Sequence, residues 1–221
     1  MGQLRSFVTK LHSSTRRDYI GRMNDAKVHC MDVAEKFGHQ YWDGDRRICY
    51  GGYNYIEGRW EKLARRLVQH YSLPPKAKIL DIGCGKGFLL YDFLKVIPDA
   101  EVYGIDISEY AINNSKPEIR DRLYIGNATN LPWEDNTFDL VVSITTLHNL
   151  YAYDLELALR EMERVGKQHK YLCVESYRNE QEKVNLLYWQ VTCEAFNTPD
   201  EWKWWFKHAN YNGDYSFIYF E

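Results

Sequence analysis

Ile79-Leu80-Asp81-Ile82-Gly83-Cys84-Gly85-Lys86-Gly87 joins an apolar run carrying one acid to a turn with glycine at every second position. Glycines so spaced let the backbone turn sharply and approach a ligand closely, with N–H groups free to donate. The stretch reads as a first strand and the cradle that follows it. Working outward, strand-like segments lie at 78–82, 101–105, 123–125, 138–144 and 171–175, separated by helical patterns near 88–96, 108–116 and 155–167. Alternating strands and helices require parallel strands joined by crossovers. The fold expected is α/β, a doubly wound, mainly parallel sheet with helices on both faces. Ligands of such sheets sit beyond the carboxyl ends of the strands, so the loops after Ile82, Ile105, Ile125, Ile144 and Glu175 should converge on one site.

Upstream, an amphipathic helical pattern runs from Thr15 to Phe37 through Tyr19, Ile20, Met23, Met31, Val33 and Ala34, with Gly38 placed to end it. Tyr41 to Gly58 alternates aromatics, glycines and charges and reads as an ordered loop. Trp60 to Tyr71 is helical again, closed by Pro74-Pro75. The chain therefore divides into residues 1–72, N-terminal helices with an aromatic, glycine-rich lid loop, and residues 73–221, the sheet domain. Downstream, Glu182 to Phe196 suits a helix or partly a strand. Thr198 opens a helix over Pro199–Ala209, whose Trp202, Trp204, Trp205 and Phe206 read as one buried apolar face, not as an aromatic cage. Tyr215–Phe220 is a final strand.

With 221 residues, 45% of them hydrophobic, the chain can bury one substantial core. A net charge of -3 argues against attraction to a phosphate backbone, so no nucleic acid is expected as a partner. Met1 to Lys10 has no apolar leader core and no apolar run approaches a membrane span. No membrane partner is expected, and a cytoplasmic protein is. Five scattered cysteines with no C-x-x-C pair suit reduced thiols and give no metal site.

The second strand ends in Val102-Tyr103-Gly104-Ile105-Asp106, which sets a carboxylate beside the turn, able to accept from both hydroxyls of a ribose. The turn lacks the G-x-G-x-x-G spacing of dinucleotide folds, so an adenosine cofactor fits better than NAD. A third block, Gly126-Asn127-Ala128-Thr129-Asn130-Leu131-Pro132-Trp133, leads into Phe138-Asp139-Leu140-Val141-Val142-Ser143. With these three ordered blocks, Lys78 to Glu175 resembles the class I S-adenosylmethionine-dependent methyltransferases. The resemblance implies S-adenosyl-L-methionine as cofactor, S-adenosyl-L-homocysteine as product and no metal. It also implies that Asp81, Gly83, Cys84 and Gly85 lie along the methionine portion, and that Asp106 holds the ribose. Ile107 would cover one adenine face, Asn127 would reach the adenine amino group with Ala128 beside the ring, and Ser143, Ile144 and Thr145 would lie under the cofactor. A ligand-free strand-to-helix turn and a helix-capping Asp106 are the plain alternatives.

For the acceptor, His148 and Glu175 are the candidate catalytic groups, either able to take a proton from a hydroxyl or ammonium. Asn149, Tyr177 and Arg178 are expected at the same mouth, Arg178 as a clamp for a carboxylate or phosphate. Tyr50, Tyr53 and Tyr55 are the lid candidates, walling off water while orienting a polar substrate. Tyr41, Trp42 and Trp60 read as packing aromatics. The chain departs from the resembled family in three places. Ser143-Ile144-Thr145-Thr146 lacks the Asn/Asp-Pro-Pro-Tyr/Phe of base N-methylating members, and Arg164 to Lys170 lacks the usual glycine-paired turn. One strand, not an antiparallel pair, is evident at the end. The function expected is methyl transfer to oxygen or nitrogen of a small polar metabolite by direct displacement, with a protein or peptide methyltransferase, or a catalytically silent binding module, as alternatives.

Overall fold

A computed structural model describes residues 2–8 and 17–221. Its centre is one six-stranded sheet built from β1 (Lys78–Ile82), β2 (Glu101–Asp106), β3 (Leu123–Ile125), β4 (Phe138–Ile144), β5 (Gly166–Glu175) and β6 (Asp214–Ile218), in the order β3-β2-β1-β4-β5-β6. Every neighbouring pair is parallel. The strand order reverses between β1 and β4, which opens a crevice at the carboxyl ends of those strands. The antiparallel finish usual in the resembled family is absent among the described residues. Glu182 to Phe196 supplies no strand, and β6 returns parallel to β5 after two intervening helices.

Those helices are α8 (Glu180–Trp189) and α9 (Pro199–His208), the second opened by a Thr198 capping box with Glu201. Between the earlier strands lie α5 (Phe88–Val96), α6 (Glu109–Asn113) and α7 (Ala152–Val165), and α4 (Glu61–His70) precedes β1. Strand periodicity divides the core. Ile79, Val102, Leu140, Val142, Tyr171 and Cys173 pack with Leu63 and Leu67 of α4 and Leu90 and Phe93 of α5. Leu80, Ile82, Val141, Leu172 and Val174 pack on the other face with Leu155, Leu159 and Met162 of α7 and Trp202 and Phe206 of α9. Trp204 instead points outward, 57% exposed, because it falls off the inward stripe of its helix.

The single helix expected over Thr15–Phe37 is two, α1 (Tyr19–Asn24) and α2 (Lys27–Ala34), and Thr15 and Arg16 lie outside the described residues. The break falls at Ala26, whose φ is 46°, where two flanking cations reach tertiary carbonyls. Arg22 donates to Arg46 O and Ile48 O, and Lys27 to Tyr188 O. Gly38 opens a short helix, α3 (His39–Trp42), instead of closing a long one. At the far edge, Arg5 N–H donates to Tyr215 O at 2.8 Å and Tyr215 N–H donates to Gln3 O at 3.1 Å, so residues 3–5 run alongside β6.

Candidate active site

Sheet register puts Asp81, Asp106, Ile144 and Glu175 on one face at the carboxyl ends of four strands, because Asp81 pairs with Gly104 and Val142, and Val142 with Tyr171. They border a cavity of about 450 Å³. At its β1 side the glycine turn holds left-handed backbone, with φ 76° at Gly83 and 55° at Gly85. A Cβ on Gly83 would stand 2.1 Å from Thr146 Oγ1, and one on Gly85 2.8 Å from the Trp42 ring. Any larger residue at either position would push a wall of the cavity away.

The Gly85 N–H donates to Asp106 Oδ2 at 2.7 Å and the Ser108 N–H to Oδ1 at 2.8 Å. Each Asp106 oxygen keeps a lone pair for a further donor. Burial raises its pKa, and the two backbone bonds oppose the shift. Asp81 is 4% exposed, and among the described residues its carboxylate accepts no hydrogen bond. Burial, and secondarily the Asp106 charge, push it up to about 8. Two close carboxylates with unused acceptor capacity match a ligand that brings hydroxyl and ammonium donors.

An aromatic wall closes this half. Trp42 stacks on Tyr50 with ring centroids 5.3 Å apart, Tyr50 meets Tyr53 at 4.6 Å, and Tyr53 stacks on Phe88 of α5 at 5.2 Å. The Trp42 indole donates to Ser108 Oγ at 2.8 Å. Buried Lys86, inside the glycine turn, donates to both Asp43 oxygens at 2.6 and 2.8 Å, and Asp43 also accepts from Tyr110 OH and the Tyr53 N–H. The wall is thus pinned to the turn itself.

Opposite stands a buried pair. His148 Nδ1 accepts a long bond from the Glu175 N–H at 3.4 Å, which places the proton of a neutral ring on Nε2. That nitrogen lies 3.4 Å from Glu175 Oε2, an oxygen without an aligned hydrogen bond among the described residues. The other oxygen accepts from Gln190 Nε2. Burial pushes Glu175 up to about 8, against the Gln190 bond and the Arg17 charge. The residues after α8 strap this corner, since the Glu194 and Ala195 N–H groups donate to His148 O and Thr192 to Asn149 Oδ1.

Asp81, Gly83, Cys84, Gly85, Asp106, Ile107, Asn127, Ala128, Ile144, Thr145, His148, Asn149, Glu175, Tyr50 and Tyr53 all line this cavity. Four expected residues do not. Ser143 faces the opposite side of the sheet from Ile144 and donates to Ile82 O at 2.9 Å, tying β4 to β1. Tyr55 turns away from the cavity, to buried Asp92 Oδ1 at 2.5 Å and to Lys95. Tyr177 is buried in the core beside Leu186. Arg178 is neutralised by Glu182 and Glu221 and lies 4.0 Å from the Tyr219 ring centre. Tyr41, Trp42 and Trp60, expected only to pack, border the cavity, as do Arg17, Arg22, Arg46, Arg59, Trp189 and Gln190. No motif marked these cations; they arrive from segments far from the sheet in sequence.

The family model described as "Methyltransferase domain" matches residues 73–210, more than half of the chain. The chain is 35% identical over 128 residues to a demethylmenaquinone methyltransferase of Symbiobacterium thermophilum, covering 54% of this chain and 50% of that one. It is 32% identical over 160 residues to the demethylmenaquinone methyltransferase of Bacillus mycoides, covering 69% and 63%. It thus spans about half to two thirds of the length of these curated relatives. The YcgJ protein of Bacillus subtilis shares the fold, with TM-score 0.55 and 21% identity over 66% of each chain. The chain belongs to the methyltransferase-domain family.

Proposed function

We propose that the protein methylates an oxygen or nitrogen of a small polar molecule by direct displacement, with Glu175 taking the acceptor's proton. The observation that carries this reading is the unmatched Glu175 Oε2, buried beside His148 in the same cavity as Asp81 and Asp106. A carboxyl pushed up to about 8 is close to the working range of a general base near neutral pH. His148, with Nδ1 turned to the Glu175 backbone, orients that carboxyl; the proton acceptor of the pair is the glutamate oxygen.

When bound, S-adenosylmethionine supplies a methyl group on a positively charged sulfur, open to attack in line with the breaking bond. Asp81 would accept from its ammonium, and Asp106 from its ribose hydroxyls, as their spare acceptor capacity allows. Asn127, Ala128 and Ile107 would border the base. Tyr50, Tyr53 and Trp42 exclude water from the reacting atoms, which strengthens every charge interaction inside. In this reading residues 1–72 act as the lid and residues 73–221 carry the chemistry. A walled cavity of about 450 Å³ suits a compact acceptor better than an extended peptide.

The test is to incubate the protein with a heat-inactivated whole-cell extract, holding both metabolites and macromolecules, and cofactor bearing a carbon-13 methyl group, then separate the two fractions and read each by NMR against a control without the protein. A new labelled small molecule is expected, its carbon shift separating O-methyl from N-methyl. Label confined to macromolecules would overturn the reading in favour of a protein or peptide acceptor, and no transfer at all would favour a silent module.

A further inference from the structure

The guanidinium carbons of Arg17, Arg22 and Arg46 lie 5.6, 5.5 and 5.6 Å from the centre of one indole ring, Trp189 at the end of α8. No two of these cations are therefore farther apart than twice that distance, and all three border the cavity. Such crowding of like charge is costly unless something compensates it. Among the described residues no carboxylate stands within ion-pair distance of Arg22 or Arg46. Arg22 is held by the Arg46 and Ile48 carbonyls, and burial, with the Arg46 charge also opposing it, lowers its pKa. Arg17 already bears on the Glu175 carboxyl, whose pKa its charge lowers. Trp189 offers its ring face to the three, a partial compensation.

Charge is also segregated along the cavity. Asp81 and Asp106 stand at the glycine turn and outnumber Arg59, which acts on Tyr53 together with them, while Arg17, Arg22 and Arg46 gather round Trp189 at the Glu175 end. A ligand that is cationic at the first end and anionic at the second would neutralise both. We propose that the methyl acceptor carries an oxyanion, a carboxylate or a phosphate, gripped between Arg17 and Arg46 with Arg22 behind, so that its nucleophilic atom faces Glu175. Planar guanidinium forks suit both groups. The proposal rests on the small-acceptor reading above and gives the arginines the clamping task that Arg178, turned away and neutralised, does not perform.

The test is calorimetric titration of the whole chain with S-adenosylmethionine, in sodium chloride alone and with inorganic phosphate or acetate at matched ionic strength. Either anion, bound alongside the positively charged cofactor, should tighten cofactor binding on the order of fivefold or more. A larger effect from phosphate assigns a phosphorylated acceptor, and one from acetate a carboxylate. The gain should vanish in Arg46→Met and in Arg17→Met and survive in Arg46→Lys. An anion that leaves affinity unchanged would overturn the proposal. So would one that weakens binding, because the arginines would then hold the cofactor's own carboxylate, and so would a gain that persists in both Met variants. Failure of the small-acceptor reading shows separately, as label in macromolecules in the NMR experiment.

Discussion

Replacing Asp81 by asparagine should stabilise the ligand-free protein while weakening its grip on the cofactor. The carboxyl is pushed from 3.8 to about 8, chiefly by burial. Below pH 4 both folded and unfolded chains carry it protonated and the shift has no effect. Between 4 and 8 the folded chain holds a proton that the unfolded chain has released, so stability falls steadily as pH rises and levels off above 8. At 1.36 kcal/mol per unit, the cost at pH 7 is about 4 kcal/mol. An amide in place of the carboxyl cannot ionise and should remove most of that cost, raising Tm by on the order of 10 °C for a chain of this size. The same substitution removes the charge that would meet an ammonium, a loss of about 1.5–3 kcal/mol, or roughly ten- to a hundredfold in affinity. Wild-type binding near pH 7 should release close to one proton, visible as a dependence of the calorimetric enthalpy on the buffer's ionisation heat. Thermal melts from pH 4 to 9 and calorimetry check both halves. If Asp81→Asn is no more stable than wild type at pH 8, or if binding releases no proton, the desolvated-carboxylate argument is wrong.

Glu175→Gln should lower kcat by roughly 10²- to 10⁴-fold while leaving S-adenosylhomocysteine affinity within about twofold; in wild type, kcat/KM should climb with pH toward a plateau above about 8, as the carboxyl ionises. Lys86→Met leaves Asp43 without its cation at the base of the aromatic wall, though still bonded to Tyr110 and Tyr53, and the reverse change, Asp43→Asn, leaves a buried ammonium uncompensated. The second should cost about 3–5 kcal/mol in denaturant melts and speed hydrogen exchange over residues 42–53. Gly83→Ala and Gly58→Ala both strain a residue with φ above +70°, but only the first drives a methyl into Thr146. Gly83→Ala should therefore be the more destabilising by well over 1 kcal/mol; equal losses would show that backbone strain alone sets the requirement for glycine.

The sheet was legible because its signals are local. Apolar runs such as 138–144 and 171–175, and the glycine turn after Ile82, announce strands and a crevice without reference to anything distant. The half of the cavity that holds Asp81 and Asp106 follows from period-two geometry once the strands are placed. Ser143 escaped that logic only because its neighbour Ile144, and not Ser143, shares the face of Asp81. The half around Glu175 and Trp189 was much less legible. Arg178 sits close after a site-bearing strand end yet turns to Glu182 and Glu221, whereas Arg17, Arg22 and Arg46 come from the N-terminal segments and converge on Trp189. Nothing in a helical period encodes which remote carbonyls a cation will find. For the same reason the break at Ala26 was hidden, since Arg22 and Lys27 answer to carbonyls at residues 46, 48 and 188. The direction of β6 was equally hidden, being fixed by two helices that carry the chain back before it enters the sheet.

Residues 3–5 lie alongside β6, the Tyr19 hydroxyl donates to Glu221 O, and Phe220 borders the cavity that Arg17 and Tyr50 also border. Seen as a growing chain, the protein makes these partners some two hundred residues apart, and synthesis proceeds at about 5–20 residues each second. The cradle from Asp81 to Thr145 has its strands long before Trp189 and Phe220 exist. The first-made wall must therefore wait, apolar and half-covered, for a later-made one. The chamber is complete only once residue 220 has been added, so its first-made wall stands open on one side until late in synthesis.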